Sequence, residues 1–198
     1  MSRVRMAHRW VALVCVVSCT ACIAPMPKAK RFAVSADDVI IVGKLEIDPP
    51  IDTEHEQKTH WNVLLDGGIL NRVEVATGPD PAPVDSKQLR LSEWSDAIIT
   101  KWGETFILRG DRAKTWLRGA TMQLDSKSMR RVWFPGGVFY DPPSGATAVY
   151  IGTLRYSRDD FYAIRQMEII DEYDEALQEL RSALGSDVTM AKAMMRAE

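Results

Sequence analysis

The sequence predicts a mainly β protein: an antiparallel β-sandwich with a C-terminal amphipathic α-helix laid against it. Three observations carry this expectation. Short β-branched and aromatic runs recur between Val39 and Ile170, separated by Gly, Pro, Asp and Ser at spacings close to the roughly 8–12 residues of sandwiches and barrels. A single late segment steps its apolar residues by three and four, the period of a helix packed on one face. The composition is ordinary for a globular domain, 46% hydrophobic and 26% charged over 198 residues, enough chain for one sizeable core.

The N-terminal stretch differs in character. Arg3, Arg5 and Arg9 flank residues 10–19, WVALVCVVSC, and no acidic residue occurs before Asp37. The apolar run is shorter than the about 20 residues needed to span a bilayer, and its length suits a signal segment. Its last four residues, Val16-Val17-Ser18-Cys19, resemble the lipobox of bacterial lipoproteins. That resemblance implies that residues 1–18 are a cleaved signal peptide and that the Cys19 thiol carries a diacylglyceryl anchor. An ordinary secretory signal and an uncleaved anchor are the alternatives. Cys19 fits better than Cys22, which has no aliphatic residue three positions upstream. The residue after the cysteine is Thr20, not Asp, so in a cell with two membranes the resemblance implies the outer one, facing the periplasm.

Residues 19–37 then read as the lipidated cysteine and a tether, with Pro25 and Pro27 followed by Lys28, Lys30 and Arg31. Removing the leader takes three Arg and no acid from 25 basic and 27 acidic side chains, leaving a net charge of −5. Such a balance gives no support to a nucleic-acid partner, which calls for a basic face. Cys15, Cys19 and Cys22 are the only cysteines. The body therefore has no internal disulfide, Cys-ligated metal or Cys nucleophile.

The folded part is expected over 38–185, with about seven to nine strands. Residues 39–48 open it: apolar on both faces at first, then alternating Leu45 and Ile47 against Lys44, Glu46 and Asp48. Pro49-Pro50 ends the strand, and 51–59 read as a polar loop. Asp66-Gly67-Gly68 reads as a hairpin turn between 60–65 and 69–76. Residues 78–86 form a proline-rich loop. Residues 91–103 read either as a short helix, capped by Ser92 with Trp94, Ala97, Ile98 and Trp102 on one side, or as irregular chain. Strands follow over 105–109, 115–124, 129–134, 138–140, 146–156 and 165–170, with Pro135-Gly136-Gly137 as a turn. Asp171 caps the final helix, Tyr173, Ala176, Leu177, Leu180, Ala183 and Leu184 form its stripe, and Gly185 stops it. Residues 186–198 read as a frayed or weakly helical tail.

Motifs that carry chemistry are few. His55 and His60 are five apart, whereas a helical zinc pair needs four. No Gly-x-Ser-x-Gly elbow and no glycine-rich phosphate loop occurs, so no metal, cofactor or catalytic residue is assigned. The pairs Trp133-Phe134 and Phe139-Tyr140 flank the Pro-Gly-Gly turn; strand alternation would turn one member of each outward, beside Arg130 and Arg131, as a binding surface. A sandwich that buries both pairs is the competing reading. The stretch from Trp133 through Gly152-Thr153 to the final helix looks like segments of small β-rich bacterial lipoproteins of unknown function, a resemblance that implies a fold but no activity. The functional expectation is a membrane-anchored, non-enzymatic binding or scaffold module that meets another envelope protein or polymer. The alternative is a hydrolase acting on peptidoglycan or lipid through carboxylates that converge only in space.

Overall fold

The computed structural model describes residues 37–59, 67–81, 97–124 and 130–198. The signal peptide, Cys19, Cys22, most of the tether, His60, Asp66, Ser92, Trp94 and Met129 lie outside the described residues. Within them the chain forms β1 (Asp38–Asp48), α1 (Thr53–Thr59), α2 (Gly67–Leu70), β2 (Arg72–Gly78), β3 (Ile98–Lys101), β4 (Thr105–Asp111), β5 (Thr115–Gln123), β6 (Arg131–Tyr140), β7 (Ala148–Arg158), β8 (Ile164–Ile170), α3 (Tyr173–Leu184), β9 (Ala191–Lys192) and β10 (Arg196–Ala197).

The strands make two sheets. One is ordered β4-β1-β7-β8, with β9 also on β7; the other is ordered β10-β6-β5-β2-β3. The second sheet is antiparallel throughout. In the first, β1 pairs with β7 in parallel, and so does β9. Between β1 and β7, which pair in parallel, the described chain builds β2 to β6, the long connection that a parallel pair needs.

Alternation along each strand sorts side chains into two cores. Ile41, Leu45 and Ile47 of β1 point between the sheets, where they join Leu117, Met122, Phe134, Leu154 and Tyr156. Ile40 and Val42 point the other way, and with Ala148 and Tyr150 they meet Ala176 and Leu180 of α3 and Met190 of the tail. The order of layers is therefore sheet, sheet, helix. Leu180 is fully buried, and burying a leucine contributes about 1.5–3 kcal/mol. Gly185, at φ +120°, ends α3 and donates its N–H to the Arg181 carbonyl at 2.8 Å. The N-cap position falls on Glu172, while Asp171 accepts the Tyr173 N–H at 3.2 Å.

Several local expectations are corrected. Residues 53–59 are helical where a loop was expected: Asp52 accepts the N–H groups of Glu54 and His55, and Lys58 bridges back to Glu54 at 2.8 Å. Gly67–Leu70 is a helical turn anchored by buried Leu70, and β2 pairs with β3 and β5. Ile98–Lys101 is a strand, not part of a helix. Ile98 and Trp102 are four apart, a spacing that keeps two residues on one side in either geometry.

The Pro-Gly-Gly segment is no turn either. β6 runs through it, with a register shift between Gly119↔Pro135 and Leu117↔Val138 that makes it a β-bulge. Gly136 presses so closely on β5 that a Cβ there would lie 2.2 Å from the Arg118 carbonyl carbon. The tail is ordered rather than frayed: β9 adds to one sheet and β10 to the other, and Met190 and Met195 are buried.

Candidate functional site

The sheets are uneven at one end, and the unevenness makes a cleft. The β1–β4 ladder stops at Lys44↔Thr105, while β1 continues to Asp48. One further bond, from the Gly103 N–H to the Leu45 carbonyl at 2.8 Å, closes the ladder. Gly103 sits at φ +73°, the left-handed region that glycine enters without cost, and turns the chain away. The Trp102 side chain then enters the core. Its ring lies 5.0 Å from Phe134 and 6.2 Å from Tyr156, and its Nε1–H donates to Met122 Sδ at 3.2 Å.

What remains beside the end of β1 is a cleft of about 460 Å³. Trp102 and Ile51 give it apolar surface, and Glu46, Asp48, Asn71 and Arg155 bring polar groups to it. Successive strand residues direct their N–H and C=O to opposite edges. Ile40 donates to Thr147 on the β7 side and Leu45 accepts on the β4 side, so Ile47 points its backbone groups into the cleft. Among the described residues no strand pairs with that part of the edge.

The acidic groups differ in how they are held. Glu46 receives two bonds from Arg155, at 2.7 and 2.9 Å, and lies 3.1 Å from Lys44 Nζ. Lys44 also bridges to Glu172 at 2.6 Å and to Glu175 at 3.7 Å, and Arg155 reaches Glu168 at 3.6 Å. Thr153 donates to Glu172 at 2.6 Å, and the Glu172 N–H donates to the Tyr150 hydroxyl at 2.6 Å. Burial works against the Lys44 charge, but hydrogen bonds to Glu172 and Glu46 outweigh it and raise its pKa above the ordinary lysine value. Desolvation would likewise raise Glu172; the bonds from Lys44 and Thr153 win, and its pKa is lowered. Asp48, two residues beyond Glu46 on the same face of β1, is exposed and has no ion pair among the described residues.

Behind the same end lies a buried polar cluster. Glu56 of α1 bonds Arg158 of β7, with both side chains 1% exposed. The Arg158 guanidinium sits 4.3 Å from the centre of the Tyr162 ring, and the Glu56 carboxylate acts electrostatically on the Tyr162 hydroxyl. Burial first, and then the Glu56 carboxylate, raise the Tyr162 pKa. His55 meets Asp160 at 3.4 Å. These contacts fasten α1 over the end of the sandwich, and the burial of Glu56 and Arg158 suits a structural tie.

The four aromatics expected to form a binding surface do not make an exposed patch. Phe134 and Tyr140 lie in the core between the sheets. Phe139 points outward but is stacked on Trp116 at 4.7 Å, covered by Lys114 Nζ at 3.8 Å, and flanked by Arg196 of β10. Trp133, half-buried, lies over Gly119. Phe139 is thus covered by cationic side chains and the ordered tail, neither of which strand alternation alone reveals. Cys19 lies outside the described residues.

Sequence reasoning missed the cleft residues. Its one local signal was the alternation of Glu46 and Asp48 on the polar face of β1, which reads equally well as a solvated edge. Among the described residues, no three His, Cys, Asp or Glu side chains are placed to hold a metal ion. No protein-family model, curated protein or solved structure matches the chain.

Proposed function

We propose that this protein is a lipid-anchored component of the bacterial cell envelope whose folded body is a non-enzymatic binding or scaffold module. In this reading residues 1–18 are removed, Cys19 carries the anchor, and the body stands on the periplasmic side of the outer membrane. The carrying observation is the cleft at the end of β1. Its most enclosed acid, Glu46, is held by Arg155 and Lys44, while apolar surface, the backbone of Ile47 and Asp48 remain for contact. A carboxylate whose oxygens are already engaged by Arg155 and Lys44 is not free to meet a substrate proton, and recognition needs a shaped surface with a few placed polar groups.

The competing reading, a hydrolase of peptidoglycan or lipid, draws on the position of Glu46 and Asp48 on one face of one cleft. Crosslinking in intact envelopes followed by identification of the captured partner separates the two. A reproducible protein or polymer partner is the expected result. Cleavage of peptidoglycan or lipid by purified protein, abolished by Glu46→Gln or Asp48→Asn, would replace the binding reading. The anchor is tested on its own: Cys19→Ala should abolish labelling by radioactive palmitate, and persistent labelling lost only in Cys22→Ala would assign the other thiol.

A further inference from the structure

We infer that the cleft takes an extended segment of a partner polypeptide, added as a strand on the β1 edge at Ile47, with a Lys or Arg side chain against Asp48 and an apolar side chain over Trp102 and Ile51. The inference rests on the binding reading above and names the chemistry of the partner.

Three independent features converge on it. The first is an edge that no strand pairs with among the described residues. Ile47 turns an N–H and a C=O toward the cleft beyond the last β4 pair, and such groups call for partners of the same kind. An incoming strand supplies both in one step, which is how exposed sheet edges capture peptides. The second is charge. Glu46 is neutralised by Arg155 and Lys44, whereas Asp48 on the same face is unmatched among the described residues. The complement it lacks is a cation, at the position where alternate side chains of an added strand would pass. The third is shape. A space of about 460 Å³ with Trp102 and Ile51 in its wall accepts a side chain on the inward side of such a strand. A small cation would satisfy Asp48 but leave the Ile47 edge unused, and a flat apolar surface would leave Asp48 without a partner.

The probe is a capped peptide of alternating Val and Lys, compared with its Val and Glu counterpart and with a version N-methylated on alternate amides. Binding to the full chain in detergent is followed by NMR and amide hydrogen exchange. The Val/Lys peptide should slow exchange of the Ile47 amide, and the Val/Glu peptide should bind at least about tenfold more weakly. N-methylation, which removes main-chain donors, should abolish binding. Asp48→Asn should weaken the Val/Lys peptide about tenfold, and Asn71→Trp, which fills the cleft from an exposed position, should eliminate it. Unchanged thermal unfolding of both variants establishes that they remain folded.

Equal binding of the Val/Lys peptide to wild type and Asn71→Trp, or an Ile47 amide indifferent to saturation, overturns the inference. So does equal affinity for the N-methylated peptide. If crosslinking captures the same envelope partner with wild type and Asn71→Trp, this cleft is not the docking site, yet the binding reading survives. If no partner is captured and the protein cleaves envelope polymer or lipid, the binding reading itself falls.

Discussion

Glu56 and Arg158 show how much one buried pair can matter at the scale of a residue. Removing one partner leaves the other charge buried without its complement, which typically costs about 3–5 kcal/mol, whereas replacing both with apolar residues of similar size is often neutral. Glu56→Met alone should therefore destabilise by that amount in urea unfolding, and Glu56→Met with Arg158→Met should recover most of it. Additive losses would show that the pair is not coupled. Lys44 and Glu172 act through pH instead. The folded-state pKa of Glu172 is lowered, so its contribution is complete above its unfolded value of about 4.3 and is lost as pH falls through the folded value. Lys44 is raised, so its contribution is complete below about 10.4 and is lost only as pH rises through its folded value. Glu172→Gln should be about 1–3 kcal/mol less stable than wild type at neutral pH, and the difference should close on acidification. A difference that does not change with pH would refute the assignment.

At the scale of the element, the bulge in β6 is the feature most exposed to a single methyl group. Gly136 faces the backbone of Arg118 and Gly119, which no side-chain rotation can move aside. Gly136→Ala should cost at least about 1–3 kcal/mol in thermal unfolding, as overpacking does, while Gly145→Ala, whose Cβ would meet open space at φ +79°, should cost only about 1 kcal/mol through backbone strain. The same bulge marks a limit of sequence reading. Pro-Gly-Gly is the composition of a turn and of a bulge alike, and only the partner strand decides between them. Where the pattern repeated without interruption, as in the inward Leu45 and Ile47 of β1 or the stripe of α3, period alone placed the residues correctly. It failed at α1, whose stability comes from Asp52 at one end and from Arg158, distant in sequence, beneath it.

Taken whole, the molecule is held by its last residues. β9 lies on β7 and β10 on β6, so one short tail spans both sheets, and Met195 is buried between them. Deleting residues 187–198 should therefore lower the melting temperature and speed hydrogen exchange in the parts of β6 and β7 that the tail covers; unchanged exchange there would show the staple to be idle. The cleft belongs to this scale too, and for that reason it could not be read in advance. Asp48, Asn71, Trp102 and Arg155 come from four separate stretches of chain, brought together by the pairing of β1 with β7 and of β2 with β3. That parallel pairing has a kinetic consequence. Ile40 is matched to Ala148, so β1 has no β7 neighbour until most of the described chain has followed. Contacts so distant along the chain slow folding, because the loop between them must be closed before they form. On the export proposed above, β1 would wait as an exposed apolar strand until β7 reaches it, the state most open to pairing with a wrong edge.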